Sequence, residues 1–494
     1  MKNILSKIPS VTPLYLDHLN TRSGTSPGLW LVMLVPLACS PGLNTAYISC
    51  SPTPRLLAFL ALQVGVCGIH LYKQMCASGT YDNMRSEDNR ESPILLRVLI
   101  HPYTPALVTA ISLSFLSDIH FTSAILATSS CAWILYELTH WLFRTFPGSF
   151  SLGEGAMVGQ TGALTITCSL YNLLSTFLLQ KNKSEFQEIS VFLQTAVLVF
   201  SSMVAGLYKF PLLHHPQMFM PYICMCGSVG VAVSSFLLGK WTPLWLLDVV
   251  TMTQARLSLL SLWFGLAVFS AAITTWARRK KVLATTVLRK VYHIVIILAF
   301  TPGVLLEPAF THIAAIAAVM FCLVLEMVRV LEIQPIASVV SRAFSSFLDE
   351  KDQGTLILSH IYLLAGVASP LWLSPCALYD AEEGSSLSPG SVLPLLAGVL
   401  AVGIGDTAAS VGGTYFGQKH WSGTKKTVEG SICGVVAQLV AVLVLVFMNI
   451  VDMSLKAWGH FFISAALTAV VEALTDQVDN IVLPLLLYTP LMDL

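Results

Sequence analysis

Apolar runs of roughly 20 residues recur along this chain, the length a helix needs to cross a bilayer. In hydrocarbon every backbone N–H and C=O must be satisfied within the protein, and runs this long select helices. Hydrophobic residues make up 55% of the 494 and charged residues 11%, with a mean hydropathy of +0.73. A soluble domain would carry about 25% charged residues. The expectation is an all-α, polytopic integral membrane protein lying in the lipid bilayer. About fourteen or fifteen transmembrane helices are expected, the shortest of them re-entrant. The candidate spans lie near 30–49, 55–72, 93–115, 122–143, 157–179, 191–209, 219–239 and 257–275. The series continues near 292–307, 310–327, 355–373, 391–409, 432–451, 458–474 and 481–492.

The zero net charge argues against nucleic acid as a partner. The eleven cysteines are scattered through apolar runs, as core residues rather than a disulfide framework or a zinc site. Residues 1–28 are polar, with Lys2, Lys7 and Arg22 and no early apolar core, so they read as a cytosolic segment rather than a cleavable signal. Residues 29–276 form a transmembrane region carrying no motif, and residues 277–494 hold every chemistry-bearing pattern. Alternating the spans places the polar segments 277–290, 329–354, 412–431 and 475–480 on one face, where Lys and Arg concentrate. The positive-inside bias makes that face cytosolic.

The densest of these patterns is 403–431, GIGDTAASVGGTYFGQKHWSGTKKTVEGS. It carries an acid at its entry, six glycines from Gly405 to Gly430, and Lys419, Lys425 and Lys426. Glycines allow close backbone approach and bare N–H groups, lysines neutralise phosphate, and carboxylates hold the magnesium that accompanies a triphosphate. The plain alternative is a positively charged loop with turn glycines, which has no need of the acids. It is not a Walker A loop: Gly412 and Gly417 have the spacing, but Gln418 stands where lysine is required.

Three further patterns share that face. Arg289 and Lys290 precede His293 at a span entrance, where membrane anchoring competes with function. Asp349 and Asp352 share a helical face one turn apart, with His360 following; an acidic helix start is the alternative. Glu472, Asp476, Asp479 and Asn480 could form an acidic stripe on one helix or a solvated face. Glu326, Arg329 and Glu332 read as internal ion pairing.

The 403–431 stretch resembles the CTP-binding signature of the dolichol kinases. Asp406, Ala409 and Gly413 match an Asp-x-x-Ala-x-x-x-Gly element, and Lys425, Lys426, Thr427, Glu429 and Gly430 match Lys-Lys-Thr-x-Glu-Gly. The segments around Arg289–His293 and Asp349–Asp352 are similar to that family as well. The resemblance implies transfer of the γ-phosphate of CTP to the hydroxyl of dolichol, giving dolichyl phosphate and CDP for glycosylation. It implies the endoplasmic reticulum membrane, with the loop facing the cytosol, and indicates no protein partner. It implies nucleotide contacts from Ala409, Gly413, Lys419, Gly423, Lys425, Lys426, Thr427, Glu429 and Gly430. Asp406 and Glu429 would hold Mg²⁺, and Asp349 or Asp352 would serve as any general base beside Lys426. Phytol kinases, CTP-dependent diacylglycerol kinases and CDP-lipid cytidylyltransferases share a looser form of the signature and remain alternatives. A transporter fits less well, since transport sites sit at the bilayer midplane.

The span count makes a topological prediction. Lys183 lies in the Asn182-Lys183-Ser184 sequon, which is assigned to the lumenal side, and Lys419 to the cytosolic side. In intact microsomes an impermeant thiol reagent should label a Lys419→Cys chain and miss a Lys183→Cys chain; equal labelling of the two would overturn the alternation.

Overall fold

The computed structural model of the chain describes residues 21–43, 53–80, 103–117, 119–179, 184–280, 285–344, 351–374 and 389–492. The first half contains α1 (Leu31–Cys39), α2 (Thr53–Thr80), α3 (Tyr103–Leu116), α4 (Phe121–Thr145), α5 (Leu152–Leu179) and α6 (Glu185–Lys209). Next come α7 (Pro216–Leu238), α8 (Thr242–Thr251), α9 (Gln254–Lys280), α10 (Thr285–Leu306), α11 (Pro308–Val330) and α12 (Ile336–Phe344). The last group is α13 (Ser359–Leu373), α14 (Pro389–Leu395), a π-helical segment Val399–Asp406, α15 (Thr407–Phe416), α16 (Val428–Phe447), α17 (Leu455–Leu474) and α18 (Asp479–Leu491). Among the described residues the one extended pairing is a bridge between His420 and Thr427.

The chain is an all-α, multi-pass membrane protein. Nine helices among the described residues are long and apolar enough to cross a bilayer. The apolar part of α9 has 6% of its residues buried and that of α7 11%, so both face lipid. Among the described residues fewer helices of that length are present than the fourteen or fifteen expected of the whole chain, since part of the run 93–115 lies outside them and other apolar runs are broken or short. The run 391–409 is divided at Leu396, two residues past Pro394, into α14, the π-helical segment and the start of α15. The run 355–373 yields only the 15 residues of α13. The sequon residues Asn182 and Lys183 lie outside the described residues.

The last helix joins the two halves. Val482 and Leu485 pack among Leu31, Leu60 and Leu135 of the N-terminal half. Leu483, Leu487, Tyr488 and Leu491 pack among Leu371, Leu396, Val442 and Phe461 of the C-terminal half. With 13 residues, α18 is about 20 Å long, short of the hydrocarbon thickness. Its buried end is anchored by Tyr488, whose hydroxyl donates to the Leu373 carbonyl at 3.1 Å and lies 2.8 Å from the Ser374 hydroxyl.

Helices α15 and α16 cross at very close range on small residues. A Cβ added to Gly430 would stand 2.7 Å from the Ala409 carbonyl oxygen and 3.1 Å from the Gly413 Cα. One added to Gly412 would meet the Cys433 side chain at 2.5 Å. Gly412 and the signature residue Gly430 therefore set the distance between two helix backbones. Gly434→Val should overpack this crossing, since its Cβ would already lie 2.9 Å from the Gly405 carbonyl oxygen. Overpacking costs about 1–3 kcal/mol, read as a lower unfolding midpoint and less protein recovered from membranes. Gly265→Ala, whose Cβ would meet nothing within 4 Å, should leave both unchanged.

Candidate functional site

The 11 residues from Gly417 to Thr427 connect α15 to α16 as a small hairpin. Trp421 N–H donates to the Lys426 carbonyl at 2.9 Å, and Val428 N–H to the Lys419 carbonyl at 2.8 Å. Gly423, with φ of +77°, makes the left-handed turn at its tip that glycine adopts without strain. Thr427 is the N-cap of α16, its hydroxyl accepting from Gly430 N–H at 3.2 Å. Glu429, in the first turn, pins the hairpin: its carboxylate accepts the N–H groups of Gln418 and Lys419 at 3.1–3.2 Å. With both oxygens accepting backbone N–H groups, Glu429 holds the shape of the loop.

The hairpin projects Lys426 into a ring of carboxylates. Its ammonium donates to the Glu472 carbonyl at 2.7 Å and lies 3.5 Å from the Glu472 carboxylate and 3.6 Å from that of Asp479. Burial alone would lower the Lys426 ammonium, but Asp479, Glu472 and Asp406 together raise it above the ordinary value of 10.5. Asp479 is shared with Lys351 at 3.3 Å, and Lys351 also donates to the Gln477 carbonyl at 2.7 Å.

Asp406 stands at the junction of the π-helical segment and α15. It occupies the N-cap position of α15 yet makes no side-chain cap bond, which disposes of a purely capping role. Its Oδ2 instead accepts from the Lys290 ammonium at 2.5 Å and lies 3.3 Å from His293 Nδ1. His293 is buried, and its Nδ1 also lies 3.2 Å from the Val402 carbonyl oxygen. Among the described residues no three His, Cys, Asp or Glu side chains converge as a ready-made metal site.

With this geometry in view, comparison with known proteins places the chain. The family model described as "Dolichol kinase" matches residues 133–452. The chain belongs to the dolichol kinase family. It is 38% identical to the dolichol kinase of Mus musculus over 281 residues, covering 54% of this chain and 51% of that protein. It is 38% identical to the dolichol kinase of Homo sapiens over 257 residues, 50% of this chain and 47% of that protein. Dolichol kinase EVAN of Arabidopsis thaliana is 27% identical over 540 residues, covering 97% of this chain and 90% of the relative. The matches thus span about half the length of the mouse and human relatives and most of the plant one. No solved structure matches the chain.

In this member of the dolichol kinase family the expected site residues divide. Asp406, Lys290, His293, Lys426, Glu472 and Asp479 come together. Lys419, Gly423 and Lys425 are exposed on the hairpin. Ala409, Gly413 and Gly430 sit in the helix crossing. Asp349 lies outside the described residues. Asp352 accepts the N–H groups of Leu358 and Ser359 at 2.9 and 3.3 Å and the Ser359 hydroxyl at 2.7 Å. It thus tethers the start of α13, because both its oxygens find donors there. His360 packs against the Phe344 ring, centroids 4.3 Å apart. Glu326 and Arg329 form the expected ion pair, with contacts of 2.8 and 2.6 Å.

The acidic stripe of Glu472, Asp476 and Asp479 is not on one helix. Helix α17 ends at Leu474, Asp476 turns to Ser26, and Asp479 opens α18. Sequence reasoning missed Lys351 as a partner of Asp479, missed Glu154, and took Arg22 only as one of the charges of the polar N-terminal segment. The one signal for Glu154 is an acid just ahead of an apolar run, where a charge is costly.

The Lys426 environment sets a pH expectation. A raised value means that the charged form persists through the ordinary lysine range and is lost only above it. Affinity for a nucleoside triphosphate should therefore show no loss from Lys426 as pH rises from neutral into that range. A decline centred near about pH 8, abolished by Lys426→Arg, would contradict the carboxylate surroundings.

Proposed function

We propose that this chain transfers the γ-phosphate of CTP to the terminal hydroxyl of dolichol in the endoplasmic reticulum membrane, from a site facing the cytosol. The observation that carries this reading is the convergence of Lys426 with Asp406, Glu472 and Asp479 where the hairpin meets the helix ends.

The hairpin's lysines are the phosphate contacts. The N–H groups of Val428, Gly430 and Ser431 at the start of α16 are already bound internally. Phosphate charge therefore falls to the ammonium groups of Lys425 and Lys426, with Lys419 beside them. A triphosphate arriving at Lys426 competes with Glu472 and Asp479 for the same ammonium, so the carboxylates keep it charged and aimed until the nucleotide binds.

Asp406 is assigned to the magnesium of the nucleotide. Lys290 and His293 hold its Oδ2, while among the described residues Oδ1 takes no hydrogen bond. A hard anionic oxygen of this kind suits magnesium, which uses one or two protein carboxylates with phosphate oxygens and waters completing the shell. A preformed three-ligand protein site is therefore not required. When bound, the ion would neutralise charge on the β- and γ-phosphates. The acceptor oxygen forms its bond to the γ-phosphorus as the bond to the β-bridging oxygen breaks, CDP leaves with that electron pair, and the hydroxyl proton is released. Alignment and charge neutralisation dominate such a transfer, so a strong base is not needed. The apolar acceptor would approach through the bilayer, where Tyr415, Phe416, Ile432 and Val436 are exposed beside the hairpin.

The test is the full chain in membranes with γ-labelled CTP and a panel of lipid alcohols. Label should pass to dolichol with release of CDP; pyrophosphate release would indicate a cytidylyltransferase, and label on diacylglycerol or phytol alone would reassign the acceptor. Lys425→Ala and Lys426→Ala should each cost about 1.5–3 kcal/mol, roughly tenfold to a hundredfold in kcat/KM. Asp406→Asn should keep normal abundance yet lose activity by orders of magnitude, with an altered response to Mn²⁺ against Mg²⁺; wild-type turnover would refute the metal assignment.

A further inference from the structure

The turn between α17 and α18 is held from outside by the N-terminal half. Residues 22–28 run beside it as an irregular strap with a turn at Ser23-Gly24. Ser26 donates its N–H and its hydroxyl to Asp476, at 2.5 and 2.7 Å, and accepts from the Gln477 side-chain amide through its carbonyl at 2.9 Å. The Ser151 hydroxyl donates to the same Gln477 side chain at 2.5 Å. Glu154, buried, accepts the N–H of Val478 at 2.9 Å and pairs with buried Arg22 at 2.7 Å. Arg22 in turn donates its backbone N–H to the Phe150 carbonyl at 2.9 Å and its guanidinium to the Lys351 carbonyl at 3.4 Å. Gly28, at φ of +69°, lets the strap pass the Gln477 side chain, which a Cβ there would meet at 2.8 Å.

Each of the three turn residues before Asp479 is therefore fixed by a residue more than 300 positions away in sequence. Asp479 is the carboxylate shared by Lys351 and Lys426, and Lys351 is itself held on its backbone by Arg22. The alternative is that these contacts merely close the fold. Against it, the strap engages the one non-helical link between two helices that both contribute carboxylates to the Lys426 ring.

We infer that Arg22, Ser26 and Glu154 are positioning residues for nucleotide binding: through Asp476, Gln477 and Val478 they set where Asp479 presents itself to Lys351 and Lys426. This rests on the reading of Lys426 as a phosphate contact. It gives the N-terminal half a part in the site.

The link is released where it is exposed. Asp476→Ala removes both Ser26 bonds without unpairing a buried charge. Arg22→Gln with Glu154→Gln neutralises the buried pair while leaving an acceptor for Val478 N–H. Each should raise the KM for CTP roughly tenfold, as small displacements of a binding group do, at unchanged unfolding midpoint. Ser26→Thr, which keeps both donors, should behave as wild type.

Affinity is read a second way, from the shift that CTP produces in the unfolding midpoint of the full chain in nanodiscs. A wild-type chain that binds CTP but phosphorylates no dolichol overturns the acceptor assignment, and loss of the CTP shift in the variants still supports the strap. An Asp476→Ala chain with wild-type KM and CTP shift overturns the strap's role. So does one whose turnover falls only in proportion to folded protein. If Asp476→Ala lowers the midpoint, Ser26→Ala, which deletes one exposed hydroxyl, takes its place and must raise the KM at an unchanged midpoint.

Discussion

An ammonium group at the membrane boundary is costly unless it is matched, and the site is arranged around that constraint. Lys426 meets Glu472 and Asp479, Lys351 meets Asp479, and Lys290 meets Asp406. The partners come from separate elements: the hairpin, the end of α17, the start of α18, the segment before α13, α10 and the π-helical segment. None of these can move without leaving a charge partly buried and unpaired. The charge balance is thus also the positional restraint.

Close packing makes that arrangement possible. Helices α15 and α16 approach so nearly that Gly413, Gly430 and Gly434 have no room for a Cβ. Side chains of ordinary size would hold the two helices 8–10 Å or so apart, as in usual helix pairs. The hairpin between them would then be displaced from Glu472 and Asp479. Small residues at helix contacts are what bilayer-embedded bundles use for tight association, and here two of them, Gly413 and Gly430, belong to the signature.

The membrane class, the shared face and the charged residues of 403–431 were legible in the sequence, because each rests on local pattern. The roles of the individual signature residues were only partly so. Thr427 and Glu429 read as ligand contacts, and their bonds to Gly430, Gln418 and Lys419, as a cap and a loop pin, are not legible in the local pattern. Asp352 reads as a catalytic acid until its donors at Leu358 and Ser359 are seen. The contacts of Arg22 with Lys351 and of Glu154 with Val478 were invisible because the partners are hundreds of residues apart. Local hydropathy does not reveal helix length: the apolar runs at α13 and α18 yield helices of 15 and 13 residues.

Helix α18 follows every other described element in the chain, yet both hydrophobic cores close on it and its first residue completes the ring around Lys426. Membrane insertion proceeds from the N-terminus, so each earlier helix enters the bilayer before its final neighbour exists. The N-terminal strap must wait longest, since Asp476 and Val478 emerge only after more than four hundred residues have been made. Assembly therefore cannot be completed helix by helix as the chain emerges. It ends in one late docking event, during which the gap awaiting α18 is exposed to lipid and to whatever surveys unfinished membrane proteins.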